Sequence, residues 1–305
     1  MTRSLSHLAV ALALALGACA GDVEGRPSPP PEGDRFPLTL TDDESVEATL
    51  QAEPARIVTF APSHTEIVFS LGLGDRLVGV SGAFDDFPPE ARDIQSVGGA
   101  GGVEPNVEQV VALDPDVLLT AFIGGEWKER LREVGVPVFT TLAASFEDTL
   151  ADIDTVGTLL GAEEAAAAVT DDMRAEADAV GSAVTTAEPV SCFLDLSDLF
   201  TVGPGSLEFD LLERAGCAPI TAAADDAYPQ WSLEQLVEDD PDVYLVSEGI
   251  PVERVIRQPG IRDLSAVRAG RVVEVDADLI SRPGPRVAQG IAELAGVLHG
   301  EAAAA

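Results

Sequence analysis

The side chains able to do chemistry in this chain are few. It has three histidines, at 7, 64 and 299, three cysteines, at 19, 192 and 217, and one lysine, Lys128. His7 lies in an N-terminal apolar segment, so the rest of the chain lacks the imidazoles for a three-histidine zinc site. No HExxH, GxSxG or phosphate-loop pattern occurs, and Ser206 in GPGSLEF reads as a helix cap. These counts point away from an enzyme and from a resident cofactor or metal, and toward recognition. Phe84 and Phe87 fall in one loop, Phe122 and Trp127 flank Gly124-Gly125, Phe200 precedes Gly203-Pro204-Gly205, and Tyr228 and Trp231 precede a helix. Loop aromatics in a chain only 5% aromatic suit a flat, largely apolar ligand. Trp231 reads equally as a hydrophobic staple on the helix capped by Ser232. Arg282 and Arg286 flank Pro-Gly-Pro and either meet ligand carboxylates, amides or phosphate or form a surface ion pair. Ser63 and His64 stand where a strand meets a helix, whose free N–H groups suit a carbonyl or anion. His64 either reaches toward a metal-bearing ligand or faces solvent.

The elements that must position these residues alternate along the chain. Residues 36–53 alternate around Asp42-Asp43 and predict a short hairpin. Buried-type strands are predicted at Ile57–Phe60, Leu77–Val80, Val117–Thr120 and Val136–Thr140, with helices near 106–113 and 126–134. A Ser63-x-x-Glu66 capping box opens the first helix and Gly72 closes it. Residues 146–186 hold no strand pattern, and Gly161 divides them into two helices. The second, Ala162 to Thr185, is about 36 Å long at 1.5 Å per residue. After Pro189 the alternation resumes, with strands at Val190–Leu196, Val243–Val246 and Val272–Val275 and helices at 206–215, 232–239 and 286–298. Alternating strands and helices imply parallel sheets covered on both faces.

The two halves repeat one unit. NVEQVVALDPDVLLT, from Asn106, and SLEQLVEDDPDVYLV, from Ser232, match 126 residues apart, and Glu108 recurs as Glu234. Each copy is a capped helix, a proline stop and a strand, so two similar lobes flank the long helix, with a cleft between them. At the second helical position each glutamate also favours the helix dipole.

The ends and the charge set the compartment. Arg3, the short apolar run Leu8–Leu16 and then Leu16-Gly17-Ala18-Cys19 resemble a bacterial lipoprotein signal (residues 1–18) with Cys19 as the lipidated residue. The proline- and glycine-rich residues 19–35 read as a tether. The formal net charge is −35, which repels nucleic acid and suits basic partners. Cys192 and Cys217 then share a compartment that permits disulfides, and are either bonded between adjacent strand starts or two buried thiols.

The blocks RIVTFAPSHTEIVFSLGLGDRLVGV, PNVEQVVALDPDVLL, VGPGSLEFDLLERAG, YPQWSLEQLVEDDPDVYLV and DADLISRPGPRVAQGIAELAGVLH together resemble one family. It is the class of ABC-importer binding proteins whose lobes are joined by a rigid helix, and the likeness covers residues 36 to 299. It implies an α/β class III periplasmic-binding-protein fold of two Rossmann-like lobes with parallel sheets. The N-terminal lobe would span 36–160, the linking helix 161–187 and the C-terminal lobe 188–305. The resemblance also implies an exported monomer, tethered to the outer face of the cytoplasmic membrane or periplasmic. Its partners would be a small ligand and a permease dimer whose basic pockets receive Glu108 and Glu234. SRPGPR and YPQWSLEQ most resemble cobalamin-binding members, so the implied ligand is cobalamin or a related corrinoid; a ferric siderophore or haem is the alternative. The segment before the first repeat helix, VGGAGGVEPN, departs from the cobalamin type in lacking an aromatic.

Overall fold

In the hairpin, β1 (Leu38–Thr41) and β2 (Glu47–Leu50) pair antiparallel, and the Asp42 carboxylate accepts the N–H groups of Glu44 and Val46 to shape the turn. The computed structural model describes residues 35–82, 84–98, 104–184 and 188–300. The signal segment, Cys19, nearly all of the tether, and residues 99–103 within VGGAGGVEPN therefore lie outside the described residues.

The strands β3 (Ile57–Phe60), β4 (Leu77–Gly79), β5 (Val117–Thr120) and β6 (Val138–Thr140) form a parallel sheet in the order β4-β3-β5-β6. A second parallel sheet holds β7 (Val190–Asp195), β8 (Cys217–Pro219), β9 (Val243–Ser247) and β10 (Val272–Val275) in the order β10-β9-β7-β8. Taken from its own first strand, each sheet runs second, first, third, fourth, so one topology is used twice. In the first lobe α1 (Pro62–Ser70), α2 (Val107–Ala112), α3 (Glu126–Glu133) and α4 (Phe146–Leu160) alternate with the strands. The linking helix is α5 (Glu163–Val184), and the second lobe carries α6 (Leu207–Arg214), α7 (Leu233–Asp239), α8 (Val252–Val255), α9 (Ser265–Arg268), α10 (Ala277–Ile280) and α11 (Val287–His299).

A shared core joins the lobes. Alternation along each central strand sends Ile57, Val117 and Leu119, and likewise Cys192, Leu194, Val243 and Leu245, into one hydrophobic cluster that crosses from lobe to lobe. Ala166, Met173 and Val180 of α5 lie in that cluster, spaced along a single helical stripe. The outer faces have private cores: Val58, Phe60, Leu118 and Trp127 in the first lobe, Phe193, Leu236, Tyr244 and Val246 in the second. The 22-residue α5, about 33 Å long at the helical rise, is thus packed on α4 and α11 along its length rather than spanning as a free strut. Close approach at its start depends on Gly157. An added Cβ there would stand 2.4 Å from the Ala166 Cβ and would push α4 away from α5. Gly161, at φ +82°, makes the left-handed turn that separates the two helices.

Three local expectations change. Cys217 lies inside β8, a strand too short and too proline-bound for its pattern to show, and is bonded to Cys192 with 6.0 Å between Cα atoms. β6 begins at Val138 rather than Val136 because Pro137 has no N–H to give the ladder. The Ser63-x-x-Glu66 capping box does not form: Pro62 takes the first helical position behind Ala61, and no side chain caps the helix. Glu66 then sits one turn further in, where a guanidinium from the other lobe binds it.

Candidate ligand cleft and docking surface

Ligands of open parallel sheets bind outside the carboxyl ends of the strands. Here those ends in both lobes turn toward one another. The α4 start, after β6, gives its Phe146 N–H to Asp210 of α6 at 2.8 Å. Ser63, after β3, backs onto Gly284, where an added Cβ would stand 3.5 Å from the Ser63 carbonyl oxygen. The exposed large aromatics are carried by these same loops. Phe84 and Phe87 follow β4, and Phe122 with Ile123 follows β5. Phe200 follows β7, and Tyr228 follows β8. Phe200 and Tyr228 stack with ring centroids 6.3 Å apart and planes 21° apart, forming a half-exposed aromatic platform. The Tyr228 hydroxyl donates to Glu208 Oε2 at 3.1 Å, which fixes the ring. Burial pushes the Glu208 carboxyl above its ordinary value, and burial beside that carboxylate pushes the Tyr228 phenol up as well.

Other residues expected at the ligand lie elsewhere. Trp127 is 3% exposed and packs edge-on against Phe60 at 5.7 Å, beneath the Phe122 loop rather than in the cleft. Trp231 is half-buried against the cluster that holds Leu236, the contact expected of a staple. His64 is buried, its Nε2 3.1 Å from Thr141 Oγ1, and burial lowers its pKa to about 4. An imidazole so covered is not placed to reach a ligand-borne metal. Ser63 is likewise buried.

Of the two readings open for Arg282 and Arg286, the structure shows the ion pair, made across the lobes rather than at the surface. Arg286 forks onto Glu66, Nε to Oε2 at 2.7 Å and Nη2 to Oε1 at 2.6 Å, and its guanidinium lies 4.2 Å from the Phe87 ring centre. Arg282 bonds Asp278 at 2.6 Å and reaches Glu66 and Asp86 at 3.4 Å. Both arginines therefore tie α1 of one lobe to the Pro-Gly-Pro turn of the other. Beside the pair lies a cavity of about 440 Å³ walled by Phe69, Phe87, Pro88 and Pro285. Glu66 is the member of this site that its sequence context does not single out. Its spacing from Ser63 matches a cap, and its partner lies 220 residues away.

A second cluster also escaped the sequence. Glu44 in the hairpin turn accepts from Lys128, from the Gly124 N–H and from Thr140. Burial alone would raise its carboxyl; the bonds from Lys128, Gly124 and Thr140 outweigh it and hold it below the usual value. The lone lysine was a signal, but its partner was not identifiable.

Glu108 and Glu234 are exposed second residues of α2 and α7. Asn106 accepts the Gln109 N–H and Ser232 the Gln235 N–H, each at 3.1 Å. Val111 and Val237, again 126 apart, are exposed one turn further on.

Two lobes of one topology on a shared helix, with aromatic loops around one cleft, define a two-lobed binding protein. The chain belongs to the Periplasmic binding protein family, whose model matches residues 57–279. A cobalamin-binding protein of Halobacterium salinarum is 35% identical over 97% of this chain and 85% of its own. The crystal structure of the periplasmic vitamin B12 binding protein of Vibrio cholerae superposes with a TM-score of 0.71 at 25% identity, covering 81% of this chain and 97% of that one. The structure titled as an ABC-type Fe3+-hydroxamate transport system of Saccharomonospora viridis superposes with a TM-score of 0.73 at 26% identity, covering 87% and 99%.

Proposed function

We propose that this chain is the extracytoplasmic substrate-binding component of an ABC importer, and that its cleft takes cobalamin or a related corrinoid. The observation that carries the ligand class is the engagement of Arg282 and Arg286 by Glu66, Asp86 and Asp278. With those cations satisfied inside the protein, the cleft offers aromatic faces and carboxylates under a net charge of −35. Such a surface favours a flat ligand edged with neutral amides over an anionic ferric chelate or a haem with two carboxylates. The name of the Halobacterium relative supports the same choice. The ferric-chelate reading is favoured by the Saccharomonospora likeness.

Glu108 and Glu234 are the permease-docking carboxylates in this reading, one per lobe, and Cys19 carries the lipid that holds the monomer at the membrane. Absorbance titration of the purified protein with cyanocobalamin, haemin and a ferric hydroxamate decides the ligand. Saturable binding of cyanocobalamin at micromolar concentration or below is expected. Binding of the ferric hydroxamate alone would transfer the assignment to the second reading.

A further inference from the structure

Lys128 is the chain's single lysine, and its side chain is 2% exposed. A buried ammonium is costly unless oxygens replace its water. Three do so here: Glu44 Oε2, the Phe122 carbonyl at 2.5 Å and Thr140 Oγ1 at 3.0 Å. The other oxygen of Glu44 accepts the Gly124 N–H at 2.5 Å. The pair therefore grips the loop after β5 on both sides of Ile123, by a carbonyl before it and an amide after it. Ile123, between the two grips, is 78% exposed, and Phe122, which carries the first, is 36% exposed. Gly124 and Gly125, at φ +66° and +103°, give the loop a shape that glycine adopts easily and would otherwise leave it free to rearrange.

We propose that Glu44 and Lys128 are positioning residues for ligand recognition: together they hold Phe122 and Ile123 in their binding pose before the ligand arrives. This rests on the reading that the carboxyl-end loops line the ligand cleft. Freezing loop residues during binding weakens affinity, so a loop ordered beforehand binds more tightly. A buried ion pair is not a general need of the fold at this point. In the other lobe the Phe200 loop is held by the Asp195 carboxylate on the Leu199 N–H and by the Trp231 N–H on the Leu199 carbonyl, and its own ion pair, Asp198 with Arg254 at 3.1 Å, is exposed.

Lys128→Met keeps the stem and removes the ammonium, while Glu44→Gln keeps an acceptor for Gly124 and removes the charge. Two measurements test the clamp. In the ligand-free protein, amide hydrogen exchange at Gly124 should speed up about tenfold or more in Lys128→Met, with strand amides unchanged. Cyanocobalamin affinity should fall about tenfold, equal to about 1.4 kcal/mol. In a Phe122→Ala/Ile123→Ala background, which lacks the side chains the clamp presents, the same change should cost less than about twofold. Equal losses in both backgrounds, or unchanged exchange at Gly124, would overturn the proposal. If Lys128→Met does not fold, Glu44→Gln carries both measurements. If the unchanged protein does not bind cyanocobalamin, the corrinoid reading fails and exchange alone decides the clamp: faster loop exchange upholds it and unchanged exchange overturns it.

Discussion

The two lobes share a topology but close their outer faces with opposite chemistry. Strand registers make Phe60 in β3 the equivalent of Asp195 in β7, and Leu118 in β5 the equivalent of Tyr244 in β9. In the first lobe Phe60 packs on Phe122 at 5.3 Å and on Trp127 at 5.7 Å. In the second the buried Tyr244 hydroxyl donates to Asp195 Oδ2 at 2.7 Å, and Asp195 Oδ1 accepts the Leu199 N–H at 3.0 Å. Burial pushes the Asp195 carboxyl up, the Tyr244 and Leu199 bonds pull it back, and the balance stays above its ordinary value. The same position thus steadies an aromatic-bearing loop by ring packing in one lobe and by a carboxylate in the other. A strand end needs only some partner for the loop that follows it; the fold does not dictate which kind.

The helices that carry Glu108 and Glu234 are the most alike parts of the two lobes, and reversing those charges should have the largest effect. Glu108→Arg with Glu234→Arg should abolish uptake into cells while leaving solution affinity nearly unchanged, because truncating one side of a desolvated charge pair costs about 2–5 kcal/mol. Single variants show whether the lobes contribute equally. Uptake by the double variant at the unchanged rate, with export confirmed, would reduce both residues to helix-start acids.

Glu66 is where the lobes stop being separable. Glu66→Ala strands the Arg286 guanidinium, while Arg282 keeps Asp278 and Asp86, and should cost about 3 kcal/mol in urea denaturation, within the range for a broken buried pair. Solution scattering should show the same radius of gyration with and without the substitution, because α5 and the shared core still join the lobes. A measurable expansion would mean that the ion pair, not the helix, sets the lobe spacing.

Tyr244→Phe tests the polar closure directly. It leaves the buried Asp195 without its hydroxyl partner and should cost about 1–3 kcal/mol. Leu118→Met at the equivalent site should cost less than about 1.5 kcal/mol. Equal costs would show that the polar pair is no more demanding than the apolar packing.

Two buried groups of the first lobe, Asp152 and His64, set up a pH slope. Burial raises Asp152 to about 7, Thr141 bonds against that shift, and Asp43 and Asp148 add to it. Between about pH 4 and 7 the folded state holds this proton and the unfolded chain does not, so stability falls as pH rises through that window and levels above it. Asp152→Asn should remove that part of the slope and be the more stable protein at pH 8. His64 contributes the opposite sign. Its folded pKa of about 4 lies below the unfolded value, so its stabilisation is lost as pH falls from about 6.5 toward 4. Denaturation midpoints of both proteins from pH 4 to 8 separate the two, and parallel curves would remove Asp152 as the source.

Much of the architecture is written within short stretches. Ile57–Phe60, Val117–Thr120 and Val272–Val275 are strands with the bounds their patterns predict, and Asn106 and Ser232 cap the helices they precede. Caps, proline stops and periodicity act over a few residues, so the chain announces them locally, and the 126-residue repeat announces the doubled sheet. Tertiary structure alone decided which side chains stay open at the cleft and which polar residues meet each other. Arg286 finds Glu66 across 220 residues, Lys128 finds Glu44 across 84, and Trp127 slips beneath the loop whose rim it shares in sequence. A charged or aromatic side chain in a loop has the same local signature whether it is free or engaged. What separates the two is desolvation by, and bonding to, groups brought close only when both lobes close on the shared core.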